Sequence, residues 1–181
     1  MQLTEKTLAR NDKFAGRIIN VHVDDIELEN GEKAFREVVD HNGGVAVVAL
    51  TDDDEVLLVR QFRYPYKEIL TEIPAGKLEK GEDPFEAMKR EQLEETGTLS
   101  DSYVFLGDLY PTPGYCAEKI RIWACRISAY ASQKLDDDEF LEVDRVKLED
   151  AVSMVMNNEI PDSKTQVGIL KASALVKSGK L

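Results

Sequence analysis

Glu91, Glu94 and Glu95 crowd together near the end of a charged stretch, GKLEKGEDPFEAMKREQLEETG, at residues 76–97. Like charges three and four residues apart on a helix repel one another. With about 3.6 residues per turn, the three carboxylates fall within an arc of roughly 100°. Two readings account for such a cluster. In one, water screens a solvated acidic face and the residues carry no chemistry. In the other, a divalent cation turns mutual repulsion into shared coordination. Mg²⁺ suits that role, because it takes hard oxygen ligands and leaves its other positions to water and substrate phosphates.

The residues around the cluster specify the helix that would carry it. Asp83 is a good N-cap, Pro84 suits the first helical position, Glu86 completes a D-x-x-E capping box and Gly97 is the expected stop. Phe85, Met88 and Gln92 form a stripe expected to face the core. The acids then line one border of the buried face and not its opposite side.

Composition narrows the function class. At 181 residues, 43% apolar and 32% charged, the chain is long enough for one full domain with a small appendage. No apolar run approaches the roughly 20 residues of a membrane span, and the opening MQLTEKTLARNDKF does not look like a signal peptide. Cys116 and Cys125 read as reduced thiols of a cytoplasmic protein. A formal charge of −12 argues against nucleic acid and against anionic membranes as partners. An anionic small substrate stays compatible, because a bound cation reverses the local field.

The elements that must position the helix follow from pattern and turn chemistry. Residues 14–40 read as two or three strands with an Asn-Gly turn. VAVVAL and VLLVRQFRY are buried strands separated by DDDE, and EILTEIPAG is a further extended piece. After the helix come the strand SYVFLGDLY, the turn PTPGY, and the strands KIRIWACRISA and FLEVDRVKL. EDAVSMVMNNEI and KTQVGILKASALVKSG close the chain as helices. This order divides the chain into a β-rich arm at 1–42 and a mixed α/β domain at 43–181.

The spacing of Gly76, Glu82, Arg90-Glu91, Glu94-Glu95 and Gly97 resembles the signature of the Nudix hydrolases, G-x5-E-x7-R-E-U-x-E-E-x-G-U, with U a bulky apolar residue. All seven fixed letters are present; Gln92 and Thr98 depart at the two U positions. The resemblance implies an α/β fold, an α/β/α sandwich around a mixed β-sheet with an N-terminal antiparallel β arm. It implies hydrolysis of a nucleoside diphosphate linked to another moiety. By the same resemblance Glu91 and Glu95 bind the catalytic Mg²⁺ (or Mn²⁺), Glu94 helps to bind metal or orient water, and the Ala75 carbonyl is a further ligand. Gly76 and Gly97 are structural, and Glu82 with Arg90 forms a supporting pair that holds the loop against the helix.

Outside the signature, QFRYPYKEILTEIPAG resembles the ADP-ribose pyrophosphatase branch, in which the arginine, here Arg63, reaches the diphosphate. Glu72 is near enough in sequence to support it. LYPTPGYCAEKI resembles the Y-P-[ST]-P-G-[aromatic] loop of that branch; Pro113 lies in it, and Glu118 contacts either the terminal ribose or solvent. In LDDDEFLEV, a carboxylate is expected to activate water, Glu139 first and Asp137 second, against the plainer reading of a solvated loop. The arm is expected to pair two subunits and help build the adenosine pocket, with Phe35 either stacked on adenine or turned into the core. Arg36 and Arg17 are weaker substrate contacts. The expected protein is a cytoplasmic homodimer that hydrolyses ADP-ribose to AMP and ribose 5-phosphate. A nucleotide-sugar pyrophosphatase acting on GDP-mannose or an ADP-sugar is the runner-up, and a non-catalytic ADP-ribose sensor the third reading.

Overall fold

The computed structural model of the chain describes residues 3–135 and 139–181. They gather into two compact units, one of the residues up to Gly43 with Tyr110–Lys119, the other of Gly44–Leu109 with Ile120–Leu181.

The first unit is built on β1 (Lys6–Ala15), β2 (Ile19–Glu27) and β3 (Lys33–His41), an antiparallel sheet in the order β1-β2-β3. Every residue of β1 is exposed. That is why residues 6–13, which have no buried face to impose alternation, are not legible as a strand. The segment 110–119 attaches along β3: the Val39 N–H donates to the Tyr115 carbonyl at 2.8 Å, and the Ala117 N–H to the Val39 carbonyl at 2.9 Å. The PTPGY turn is therefore grouped with the arm.

The second unit contains β4 (Gly44–Leu50), β5 (Glu55–Arg63), β6 (Glu68–Glu72), β7 (Ala75–Lys77), α1 (Pro84–Thr96), β8 (Thr98–Leu99), β9 (Tyr103–Leu109), β10 (Ile120–Arg126), β11 (Ala129–Tyr130), β12 (Leu141–Lys147), α2 (Leu148–Met156) and α3 (Ser163–Lys177). Its main sheet runs β12-β5-β4-β10-β9, with β6 on β5 and β7 on β4; β8 and β11 form a separate short ladder. The β4–β10 pair is parallel and the others are antiparallel, so the sheet is mixed.

Alternation along β4 explains the layering. Val45, Val47 and Ala49 pack with Ala87 and Met88 of α1. Ala46, Val48 and Leu50 pack with Leu148 and Ala151 of α2 and Ile169 and Ala172 of α3. Successive side chains of a strand point to opposite faces, and both faces of this one are covered. The expected α/β/α sandwich is the architecture observed. Burying each Val or Leu here contributes about 1.5–3 kcal/mol. Among the described residues no helix is long and apolar enough to cross a membrane.

Candidate active site

The carboxylate helix is fixed at both ends. Asp83 accepts from the N–H groups of Phe85 and Glu86 at 3.0 and 3.1 Å. Gly97 ends the helix in the left-handed region (φ 63°), its N–H donating to the Leu93 carbonyl at 2.9 Å. Glu86 is turned to Lys89. The buried face is Ala87, Met88, Glu91, Gln92 and Glu95, so it loses Phe85 from the expected stripe and takes in two of the acids expected at its border. Ala87, Met88 and Gln92 are fully buried, whereas Phe85 is partly exposed and meets Tyr103 edge-on at 5.3 Å.

Glu91 and Glu95 are turned inward, 8% and 2% exposed. Glu95 Oε2 accepts from the Ala75 N–H at 2.9 Å, which joins α1 to β7. Gly76 is what admits Glu91: a Cβ there would lie 1.9 Å from its carboxylate carbon. Glu94 is drawn aside, its Oε2 accepting from Arg90 Nη1 at 2.9 Å, and the same guanidinium lies 3.0 Å from Glu91 Oε1. Arg90 also donates to Glu82 at 3.2 Å, while Glu82 Oε2 accepts from the Glu79 N–H at 3.0 Å. The Glu82–Arg90 pair thereby ties the preceding loop to the helix.

The electrostatics of this cluster are those of anions short of a counter-charge. Burial pushes the Glu95 carboxyl up to about 8; Glu91 and Glu139 add to the rise, and the Ala75 N–H and Arg63 oppose it. Burial pushes Glu91 up to about 7, with Arg90 opposing and Glu139 and Glu94 adding. Glu139 thus lies within electrostatic reach of both inward carboxylates. Asp137, the second candidate for activating water, lies outside the described residues. Among the described residues, no three His, Cys, Asp or Glu side chains converge as a finished cation cage.

Arg63 pairs with a buried carboxylate. Its Nε and Nη2 donate to Glu72 Oε1 and Oε2 at 2.6 and 2.7 Å, and Glu72 is 1% exposed. The negative charges of Asp162 and Glu95 also act on the guanidinium. Glu72 Oε2 takes a second cation, Lys164, which also lies 3.1 Å from Asp162 Oδ2. Burial would raise the Glu72 carboxyl, but its bonds to Arg63 and Lys164 hold it below the usual carboxylate range. Sequence reasoning passed over Lys164. Its signal was a lysine in the first turn of a helix, two residues after the cap, at the end whose dipole repels cations.

Arg63, Ala75, Glu91, Glu94, Glu95 and Glu139 all belong to the second unit, whereas Phe35, Pro113 and Glu118 belong to the first. Phe35 is 63% exposed, so it is not an inward core residue. Pro113 is exposed in its turn, and Glu118 Oε1 lies 3.7 Å from His41 Nδ1. Arg36 is paired with Glu5. Arg17 is exposed.

A family model described as the NUDIX domain matches residues 40–166. The chain is 42% identical over 169 residues to an ADP-ribose pyrophosphatase of Bacillus subtilis, covering 92% of this chain and 91% of that one. It is 38% identical over 167 residues to a methanol dehydrogenase activator of Bacillus methanolicus, with 91% and 90% covered. A GDP-mannose pyrophosphatase of Yersinia enterocolitica is 33% identical over 155 residues, with 78% and 80% covered. Among solved structures, one described as an ADP compounds hydrolase superposes with a TM-score of 0.87 over 100% of both chains at 22% identity, a likeness of fold.

Proposed function

The chain belongs to the Nudix hydrolase family, and from that premise we propose that it uses Mg²⁺ to cut the pyrophosphate of ADP-ribose, giving AMP and ribose 5-phosphate. The observation that carries this reading is the buried pair Glu91 and Glu95 beside the backbone of Ala75 and Gly76, two anions in want of a cation. Carboxylate and carbonyl oxygens are the donors a hard divalent ion takes, so the residues present fit it. Glu91, Glu95 and the Ala75 carbonyl would hold the ion, with Glu94 joining through water or on leaving Arg90. When bound, the ion supplies positive charge for the pyrophosphate oxygens and acidifies a water.

The chain's own residues supply the remainder. Arg63 carries a planar fork that matches phosphoryl oxygens and lies where Glu95 feels its charge. It would bind the diphosphate and offset its charge as the phosphorus–oxygen bond breaks. Glu139 would accept the proton of the water whose oxygen forms the new bond to phosphorus. The leaving phosphate departs with the electron pair of the broken anhydride bond. No side-chain nucleophile is required, which agrees with the raised pKa of Cys125, pushed to about 11 by burial.

Substrate choice rests on similarity to the Bacillus subtilis pyrophosphatase, with the Yersinia relative supporting a nucleotide sugar as the second reading. The arm would pair with a second copy: β1 is an edge strand exposed at all ten residues, and Leu8, Phe14 and Phe35 present apolar surface to solvent. The test is turnover of ADP-ribose, GDP-mannose and ADP-glucose with Mg²⁺, compared by kcat/KM in wild type and Glu95→Gln. Preference for ADP-ribose and a loss of at least about 10²-fold in the variant are expected. An equally active Glu95→Gln, or a preference for GDP-mannose, overturns the respective assignment.

A further inference from the structure

Lys164 is 7% exposed, yet it occupies the first turn of α3. Burying an ammonium is costly unless it is paired, and the helix N-terminus adds to that cost. Its partners are Glu72 and Asp162. Asp162 is already engaged as the cap of α3, accepting from the Thr165 N–H at 2.9 Å and from the Thr165 hydroxyl. Among the described residues Glu72 accepts from side chains alone, its charge divided between Lys164 and Arg63.

The consequence concerns Arg63. A buried carboxylate with one guanidinium as its sole partner would resist giving that guanidinium up, because its departure leaves an uncompensated buried charge. With Lys164 on Oε2, Glu72 keeps a counter-ion when Arg63 turns to another anion. We propose that Lys164 is a positioning residue of the pyrophosphate site: it neutralises Glu72 from behind and so leaves the charge of Arg63 available to the diphosphate. This rests on the reading of Arg63 as the diphosphate ligand. Lys164 itself is too deeply buried to touch substrate. Merely joining β6 to α3 does not require it, since the Ile73 N–H already donates to Thr165 Oγ1 at 2.9 Å.

Steady-state kinetics on ADP-ribose with Mg²⁺ test the proposal in wild type, Lys164→Met, Lys164→Arg, Glu72→Gln and the Lys164→Met/Glu72→Gln pair. Lys164→Met is expected to raise KM about tenfold with kcat within about threefold, the pattern of lost binding to ground and transition state alike. Lys164→Arg keeps KM within about threefold, and the double variant, which removes both buried charges together, returns it to that range. An unchanged KM in a cooperatively folded Lys164→Met overturns the proposal, as does a double variant no better than Lys164→Met. Should Lys164→Met fail to fold, Glu72→Gln decides: KM at or below wild type is expected, and a tenfold rise overturns it. A wild type inert toward ADP-ribose instead rejects the proposed function. The Lys164 role is then read from calorimetric binding of inorganic pyrophosphate to the same variants, where equal affinity throughout rejects it alone.

Discussion

Gln92 and Thr98, the two positions at which the signature loses an apolar residue, are hydrogen-bonded to each other, Gln92 Nε2 donating to Thr98 Oγ1 at 3.1 Å. Both are fully buried. The Tyr103 hydroxyl donates to Gln92 Oε1 at 2.9 Å, and Thr96 Oγ1 lies 2.7 Å from Thr98 Oγ1. What reads as two separate departures is therefore one substitution of a polar pair for an apolar one. Buried polar groups are tolerated when each has its partner. Gln92→Leu alone should cost about 1–3 kcal/mol, because it removes the Gln92 amide from both the Thr98 and Tyr103 hydroxyls, leaving Thr98 with Thr96 alone. Adding Thr98→Val should recover part of that loss, with a coupling of at least about 0.5 kcal/mol. Urea denaturation of wild type, Gln92→Leu, Thr98→Val and the double variant measures it, and additive costs would show that the bond contributes nothing.

Gly76 separates stability from chemistry. Its missing Cβ leaves the space that the Glu91 carboxylate fills, and the atoms in conflict are the far end of a flexible side chain. Gly76→Ala should therefore displace Glu91 with a small change in melting temperature, while kcat/KM falls by roughly 10²-fold or more, as misplacement by about an ångström does. Thermal melts and turnover on the same preparation check both halves. Near-normal turnover would mean that the position of Glu91 does not matter.

Much of this architecture is legible in the sequence. The ends of α1 were written by Asp83, Pro84 and Gly97, whose cap chemistry is local. The buried strands β4 and β5 were legible because a sheet covered on both faces leaves continuous apolar runs. Most of β1, residues 6–13, was not, since an uncovered strand has no reason to alternate. Nor was the partnership of Glu72 with Lys164, which brings together residues 92 positions apart. Spacing reports residues that share one element. A tertiary contact between β6 and α3 leaves no local trace beyond a lysine at the wrong end of a helix.

The inward carboxylates make stability depend on pH in the absence of metal. Glu91 and Glu95 titrate near 7 and 8 in the folded chain, against roughly 4.3 for a solvated glutamate. The folded state then holds more protons than the unfolded one across that interval, so stability falls as pH rises from about 4.3 through 8. A bound divalent cation competes with those protons. Protein stripped with chelator should melt lower at pH 8 than at pH 6, and Mg²⁺ should raise the melting temperature more at pH 8 than at pH 6. A pH-independent response to Mg²⁺ would place its site elsewhere.

Glu139 offers the sharpest division between binding a cation and moving a proton. Its charge reaches both Glu91 and Glu95 and raises both. Glu139→Gln keeps the shape and removes that charge, so both carboxyls should titrate lower and the metal-free protein should lose less stability as pH rises. As the group that takes the proton from water, Glu139 should also carry a factor of roughly 10²–10⁴ in kcat, with little change in KM. A ligand would behave otherwise: its loss would weaken Mg²⁺ affinity, and saturating metal would restore turnover. Titrating Mg²⁺ against kcat in Glu139→Gln separates the two, and recovery at high metal would move Glu139 from proton transfer to cation binding.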